Sequence, residues 1–130
     1  MTLIRTQALA NVAEYAYAAI TDPSSRLVFT AGACPLDDAG RTVCPGDPVG
    51  QANQVMANLR TALDSAGARM TDVVKTTVFV ATSDRADLVA VWRVVRDAFG
   101  DHDPPSTLLG VAVLGYVDQL VEVEAVARLG

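Results

Sequence analysis

Leu120-Val121-Glu122-Val123-Glu124-Ala125-Val126-Ala127 alternates in character, so it reads as a β-strand with Val121, Val123, Ala125 and Ala127 on one face. Glu122 and Glu124 then project together from the other face, roughly 7 Å apart at about 3.3 Å of rise per residue. Two carboxylates side by side on a sheet repel each other. They describe either a wet outer face or a cleft in which one glutamate does acid/base work, and the pattern leaves both open. Upstream, Asp103-Pro104-Pro105 breaks the chain before a second extended run, near Ser106 to Val113, and the closing strand is expected to span about Gln119 to Leu129.

Working back towards the N-terminus, Val73-Val74-Lys75-Thr76-Thr77-Val78-Phe79-Val80 is the strongest strand, rich in β-branched residues. Two helices flank it. The first is capped by Asp47, has Pro48 at its first position, repeats apolar residues from Val49 to Ala66 at spacings of three and four, and stops at Gly67. The second follows Ser83 or Asp84 and turns Leu88, Val91, Trp92, Val95, Ala98 and Phe99 inward. Arg26-Leu27-Val28-Phe29-Thr30-Ala31-Gly32 is a short strand after the turn signal Asp22-Pro23-Ser24-Ser25, and the extended segment around Tyr15 to Ile20 predicts a hairpin with it. Residues 34 to 47, with two prolines and two glycines, form an irregular excursion of the kind that lines sites. Helices with one apolar face each belong on the same side of a mixed sheet, which makes the chain a single α+β domain over residues 1–130. The sheet's other face is left uncovered, and its Val- and Ala-rich strands favour another subunit as the cover.

At 130 residues and 51% hydrophobic, the chain has material for a real core. Its net charge of −5, with Lys75 and nine scattered arginines, provides no basic face for phosphates, so nucleic acid is not an expected partner. Apolar runs fall far short of the roughly 18 residues a membrane span needs, and the N-terminus has no secretion signal, so a cytoplasmic location is expected. Cys34 and Cys44 are then expected to be reduced thiols. With His102 as the only histidine, no zinc-ligand spacing exists and no metal is expected.

Four blocks resemble the RidA/YjgF family, also called endoribonuclease L-PSP: Phe29-Thr30-Ala31-Gly32-Ala33-Cys34-Pro35, Asn58-Leu59-Arg60-Thr61-Ala62-Leu63, Asp72 to Val80, and Val121 to Ala127. They occur in the family's order and spacing across nearly the whole chain. The resemblance implies a chorismate-mutase-like fold, a homotrimer whose sheets enclose a central barrel, and a small-molecule cleft at each subunit interface. It also implies a cofactor-free hydrolase or deaminase acting on imine, enamine or amide-type metabolites, the alternative being a non-catalytic trimer that binds a small metabolite.

Carried over residue by residue, the resemblance makes Glu122 the catalytic glutamate that holds the hydrolytic water. Gly32 offers its backbone N–H to the ligand, and Tyr15 matches an aromatic residue of the cleft. One departure matters. Where active relatives clamp the substrate carboxylate with an arginine, this chain has Ser106, and a hydroxyl supplies neither permanent charge nor a two-pronged fit. That loss should cost on the order of 2–4 kcal/mol in carboxylate binding. Thr107 could donate a hydrogen bond nearby, and Arg93, on the second helix, could bring charge from another direction, although a surface helical arginine is the plainer account. Little or no 2-aminoacrylate deaminase activity is expected. Cys34 and Trp92 read as packing residues and Tyr116 as a surface turn.

Overall fold

Two helices lie across one face of a four-stranded mixed sheet in the computed structural model, which describes residues 1–130. In chain order the elements are β1 (Thr2–Ile4), β2 (Ala18–Ile20), β3 (Arg26–Phe29), α1 (Pro48–Ser65), β4 (Val73–Ala81), α2 (Arg85–Phe99), β5 (Ser106–Val111) and β6 (Val121–Leu129). The sheet order is β3-β6-β4-β5, with β4 and β5 parallel and the other pairs antiparallel. This is the α+β, chorismate-mutase-like architecture.

Local chemistry explains the helix ends. Asp47, just ahead of Pro48, accepts a hydrogen bond from Gly50 N at 3.0 Å and so satisfies one orphan N–H of the first turn. At the other end Gly67, at φ 82°, lets Ala68 N reach Leu63 O and Gly67 N reach Asp64 O, both about the length of an ordinary hydrogen bond. Asp84 caps α2 through Ala86 N at 2.9 Å. The core lies between the layers, where Val55, Leu59 and Leu63 of α1 and Val91 and Val95 of α2 meet Val78, Val80, Val121 and Val123.

Three boundaries differ from the sequence expectation. β2 pairs with β1, not with the 26–32 strand, because β3 spends its ladder on β6 from Arg26↔Leu129 to Phe29↔Val126. β3 ends at Phe29 because the chain bulges: Thr30 N bonds Ala125 O, and pairing resumes only at Ala33 with Val123. β5 stops at Val111 and β6 starts at Val121, two residues short at each of those ends.

Val49, Ala62 and Ala66 lie outside the buried stripe of α1, whereas Gln51 is completely buried. The Gln51 amide donates to Cys44 O at 3.3 Å and Asp118 O at 2.8 Å, and accepts from Leu120 N at 2.7 Å. Cys44 and Asp118 are the two non-glycine residues with positive φ, so one side chain fastens both left-handed turns.

The face away from the helices carries Leu27, Phe29, Phe79, Leu109 and Val126 beside Lys75, Thr77 and Glu124. Phe29 is 72% exposed and Leu109 43% exposed there, so apolar sheet surface is left to water in the single chain. No helix is long and apolar enough to cross a membrane.

Candidate functional site

The bulge between β3 and β6 lays Gly32 directly over Glu122. A β-carbon at Gly32 would stand 2.5 Å from Glu122 Cδ and 2.7 Å from Oε2, so only glycine leaves the carboxylate where it is. Gly32 N–H donates to no group of the chain and is free for a ligand. Glu122 Oε1 accepts from Cys34 Sγ at 3.1 Å and from Gln119 Nε2 at 3.3 Å. The Cys34 thiol has Gly32 O as a second acceptor at 3.4 Å. Burial first, and then the Glu122 carboxylate, push this thiol from 9.0 up to about 11, so it stays a protonated donor at neutral pH. Glu124 is exposed, two residues along the same strand face.

What holds Cys34 in place is the start of the irregular excursion. Asn58 of α1 donates to Cys34 O at 2.8 Å and Leu36 O at 2.9 Å, tying the loop to the helix. Gln119, buried behind the glutamate, also bonds Val121 O at 3.1 Å and receives Tyr116 N at 3.0 Å. Neither Cys34 nor Gln119 as a partner of Glu122 was legible in the sequence. Both lie on loops, whose path no periodicity reports.

The remaining expected site residues gather elsewhere. Tyr15, Trp92, Ser106, Thr107 and Leu108 line a cavity of about 470 Å³ between α2 and the outer edge of β5. The rings of Tyr15 and Trp92 stand edge to face, 5.9 Å apart. Trp92, expected in the core, packs against it while staying half-buried, and its outer side forms a wall of the cavity; its indole N–H donates to Glu14 Oε2 at 3.3 Å. Ser106 Oγ lies 2.6 Å from Thr76 Oγ1 and 3.0 Å from Pro104 O, so its proton is committed within the chain. Thr107 takes Lys75 Nζ at 2.7 Å. Arg93 is exposed on α2, lines neither this cavity nor the Glu122 pocket, and has no ion-pair partner.

These two groups do not meet within one chain. Phe79 of β4 is opposite Glu122 on one side and Leu109 on the other, so β4 separates Glu122 from the Ser106–Thr107 end of β5. Two strand spacings sideways and one residue pair along put them roughly 12 Å apart at the backbone. Cys34 and Cys44 are not joined by a disulfide in this structure. No group of three or more His, Cys, Asp or Glu side chains is placed to hold a metal ion.

The site is thus a glutamate held beneath a glycine bulge, on an α+β sheet whose second face is open. The chain belongs to the endoribonuclease L-PSP family, the RidA/YjgF family, whose model matches residues 5–129. It is 33% identical over 124 residues to a 2-iminobutanoate/2-iminopropanoate deaminase of Capra hircus, covering 95% of this chain and 86% of that one. A RutC family protein of Drosophila melanogaster, UK114, is 34% identical over 119 residues, covering 92% and 82%. Among solved structures, the conserved Rid family protein YyfB of Yersinia pestis superposes with a TM-score of 0.90 at 28% identity, covering 98% of each chain. Escherichia coli TdcF, solved with bound serine, gives 0.70 at 28% identity over the full length of both.

Proposed function

We propose that this protein is a cofactor-free hydrolase of the RidA superfamily, acting as a homotrimer on an imine, enamine or amide-type metabolite, with weak or no activity on 2-aminoacrylate. One observation carries this: Glu122 is held by Cys34 and Gln119 beneath a glycine whose N–H is free. In the reaction R₂C=NH + H₂O → R₂C=O + NH₃, Glu122 takes a proton from the attacking water. It returns that proton to the nitrogen to give the carbinolamine, then carries the hydroxyl proton to the amine, so that the C–N bond breaks, the carbonyl forms and ammonia leaves. The Gly32 N–H orients the substrate.

The roughly 12 Å between Glu122 and the Tyr15–Ser106 cavity is the reason for a trimer, because a neighbouring subunit can bring the second half to the first. The exposed Phe29 and Leu109 face supplies apolar surface for that contact. Light scattering coupled to size exclusion is expected to give roughly three times the 13.6 kDa chain, and a monomer at micromolar concentration refutes the assembly.

The committed hydroxyl of Ser106 leaves a substrate carboxylate without a clamp. Uncompensated, that weakens 2-iminopropanoate turnover by about 10²-fold or more. The assay generates the enamine with a dehydratase and follows keto-acid release. Acceleration equal to that of an arginine-bearing relative refutes the role given to Ser106, and Ser106→Arg is expected to restore part of the activity. The same vacancy favours a second reading, a non-catalytic trimer that binds a metabolite. In that case no imine or amide tested is turned over, and Glu122→Gln changes binding alone.

A further inference from the structure

The Tyr15–Trp92 cavity contains no cation, and the basic side chains around it are engaged or turned away. Arg5, which lines an adjoining depression and reaches Tyr15 O at 3.5 Å, is ion-paired with Asp103. Arg96, one turn along α2 from Trp92, is held by Glu14 and Asp97. Lys75 approaches Thr107 from the open face of the sheet, where it shares a shallow pocket with Glu124. Arg93 points to solvent. The surface beside Gly32 and Cys34 carries Asp37 and Asp38 and no basic residue. A carboxylate placed in either half would find no basic side chain among the lining residues, and the nearest cation outside an ion pair, Lys75, lies behind Thr107, so its desolvation is poorly offset.

What the cavity does present is apolar and neutral. Two aromatic rings set at right angles, with Leu108, make walls suited to a flat group. β5 is an edge strand, and Pro105 O bonds Thr76 N at 3.0 Å, so residue 105 faces β4. Backbone groups alternate along a strand, so the N–H and C=O of Ser106 and Leu108 face away from the sheet, along the side where the cavity lies. That edge offers donors and acceptors together. An amide satisfies both, whereas a carboxylate can only accept and would oppose the carbonyls.

We propose that this half of the cleft binds an uncharged, flat moiety, an aromatic ring bearing a primary amide or an equivalent neutral donor–acceptor group, where active relatives take a carboxylate. The proposal rests on the cleft assignment made under Proposed function and narrows its substrate class. Trp92 is the single tryptophan, so intrinsic fluorescence reports on this cavity alone. Wild-type protein at neutral pH is titrated with phenylacetamide and, in parallel, with sodium phenylacetate. Phenylacetamide is expected to change Trp92 emission saturably in the millimolar range, with phenylacetate at least about tenfold weaker. Equal or tighter binding of phenylacetate overturns the proposal, as does the absence of any response to phenylacetamide. Ser106→Arg is expected to reverse the order, and a folded variant that keeps the wild-type preference also overturns it. Glu122→Gln separates the two ideas. Unchanged amide preference in that variant with no hydrolysis by the wild type refutes the hydrolase and leaves this binding class standing, whereas hydrolysis with no amide preference does the reverse.

Discussion

Replacing Gly32 with alanine is expected to disable the glutamate while leaving the fold intact. The new Cβ would sit 2.5 Å from Glu122 Cδ and 2.8 Å from Cγ, where ordinary contact begins at 3.4 Å. The carboxylate must therefore retreat by about 1 Å, since repulsion at that overlap exceeds anything a single contact returns. Retreat is possible because the obstructing atoms belong to the end of a flexible side chain. Gly32 is not in the left-handed region, so alanine adds no backbone strain and removes some freedom from the unfolded chain, worth about 0.4–1 kcal/mol. Against this stand the lost bonds at 3.1 Å to Cys34 and 3.3 Å to Gln119. Each is worth about 1 kcal/mol or somewhat more, so stability should change by no more than about 1–2 kcal/mol.

Cys34 provides the reporter for that displacement. Its thiol is pushed up to about 11 by burial and then by Glu122. Withdrawing the carboxylate removes the second influence but not the first, so the value falls part of the way towards 9.0. Each unit of that fall raises the thiolate fraction, and with it the alkylation rate at pH 8.5, about tenfold. The measurement is iodoacetamide alkylation against pH in a Cys44→Ser background, beside thermal denaturation. An unchanged Cys34 profile, or a drop in melting temperature beyond about 10 °C, would refute the geometry on which the argument rests. A displacement of this size should also reduce any hydrolysis by about 10²-fold.

Gln51→Leu is expected to cost about 2–4 kcal/mol in chemical denaturation, because Cys44 O, Asp118 O and Leu120 N would lose their partner inside the fold; a loss under 1 kcal/mol would show that the two turns hold themselves. Burial opposes the charge on Asp72, but hydrogen bonds from Arg69 and the charges of Arg69 and Arg128 outweigh it and hold its carboxyl below the ordinary 3.8. Its contribution is therefore complete above pH 3.8 and lost as pH falls through the lower folded value, so the stability gap between wild type and Asp72→Asn should be flat from pH 5 to 7 and close below about pH 4. Removing Asn58, as Asn58→Ala, releases Cys34 O and Leu36 O and should speed Cys34 alkylation while leaving Cys44, already exposed, unchanged; equal effects on both thiols would show general loosening instead.

Periodicity along the chain was enough for the long elements. α1, α2, β4 and β6 are each decided by a repeat of about 3.6 or 2 that persists for many residues, and by caps at Asp47, Asp84 and Gly67 whose chemistry is local. Both helices could be assigned to one sheet face for the same reason, and Glu122 and Glu124 to the other. The N-terminal pairing was not legible, because β1, β2 and β3 have three or four residues each and their partners are chosen by distant strands. The site divides along the same line. Glu122 and Gly32 stood out as residue types in recognisable blocks, yet their approach depends on a bulge opposite Ala125 and Val123, which only the paired strand imposes. Cys34 and Gln119 reach Glu122 through loops whose course is set by Asn58 and by the 116–119 turn. Trp92 followed the helical repeat and read as core, but β5 ends the sheet there, and the cavity beside that edge leaves the ring half in contact with solvent. Repeats report which face a residue occupies; what stands opposite that face is fixed only when distant segments pack.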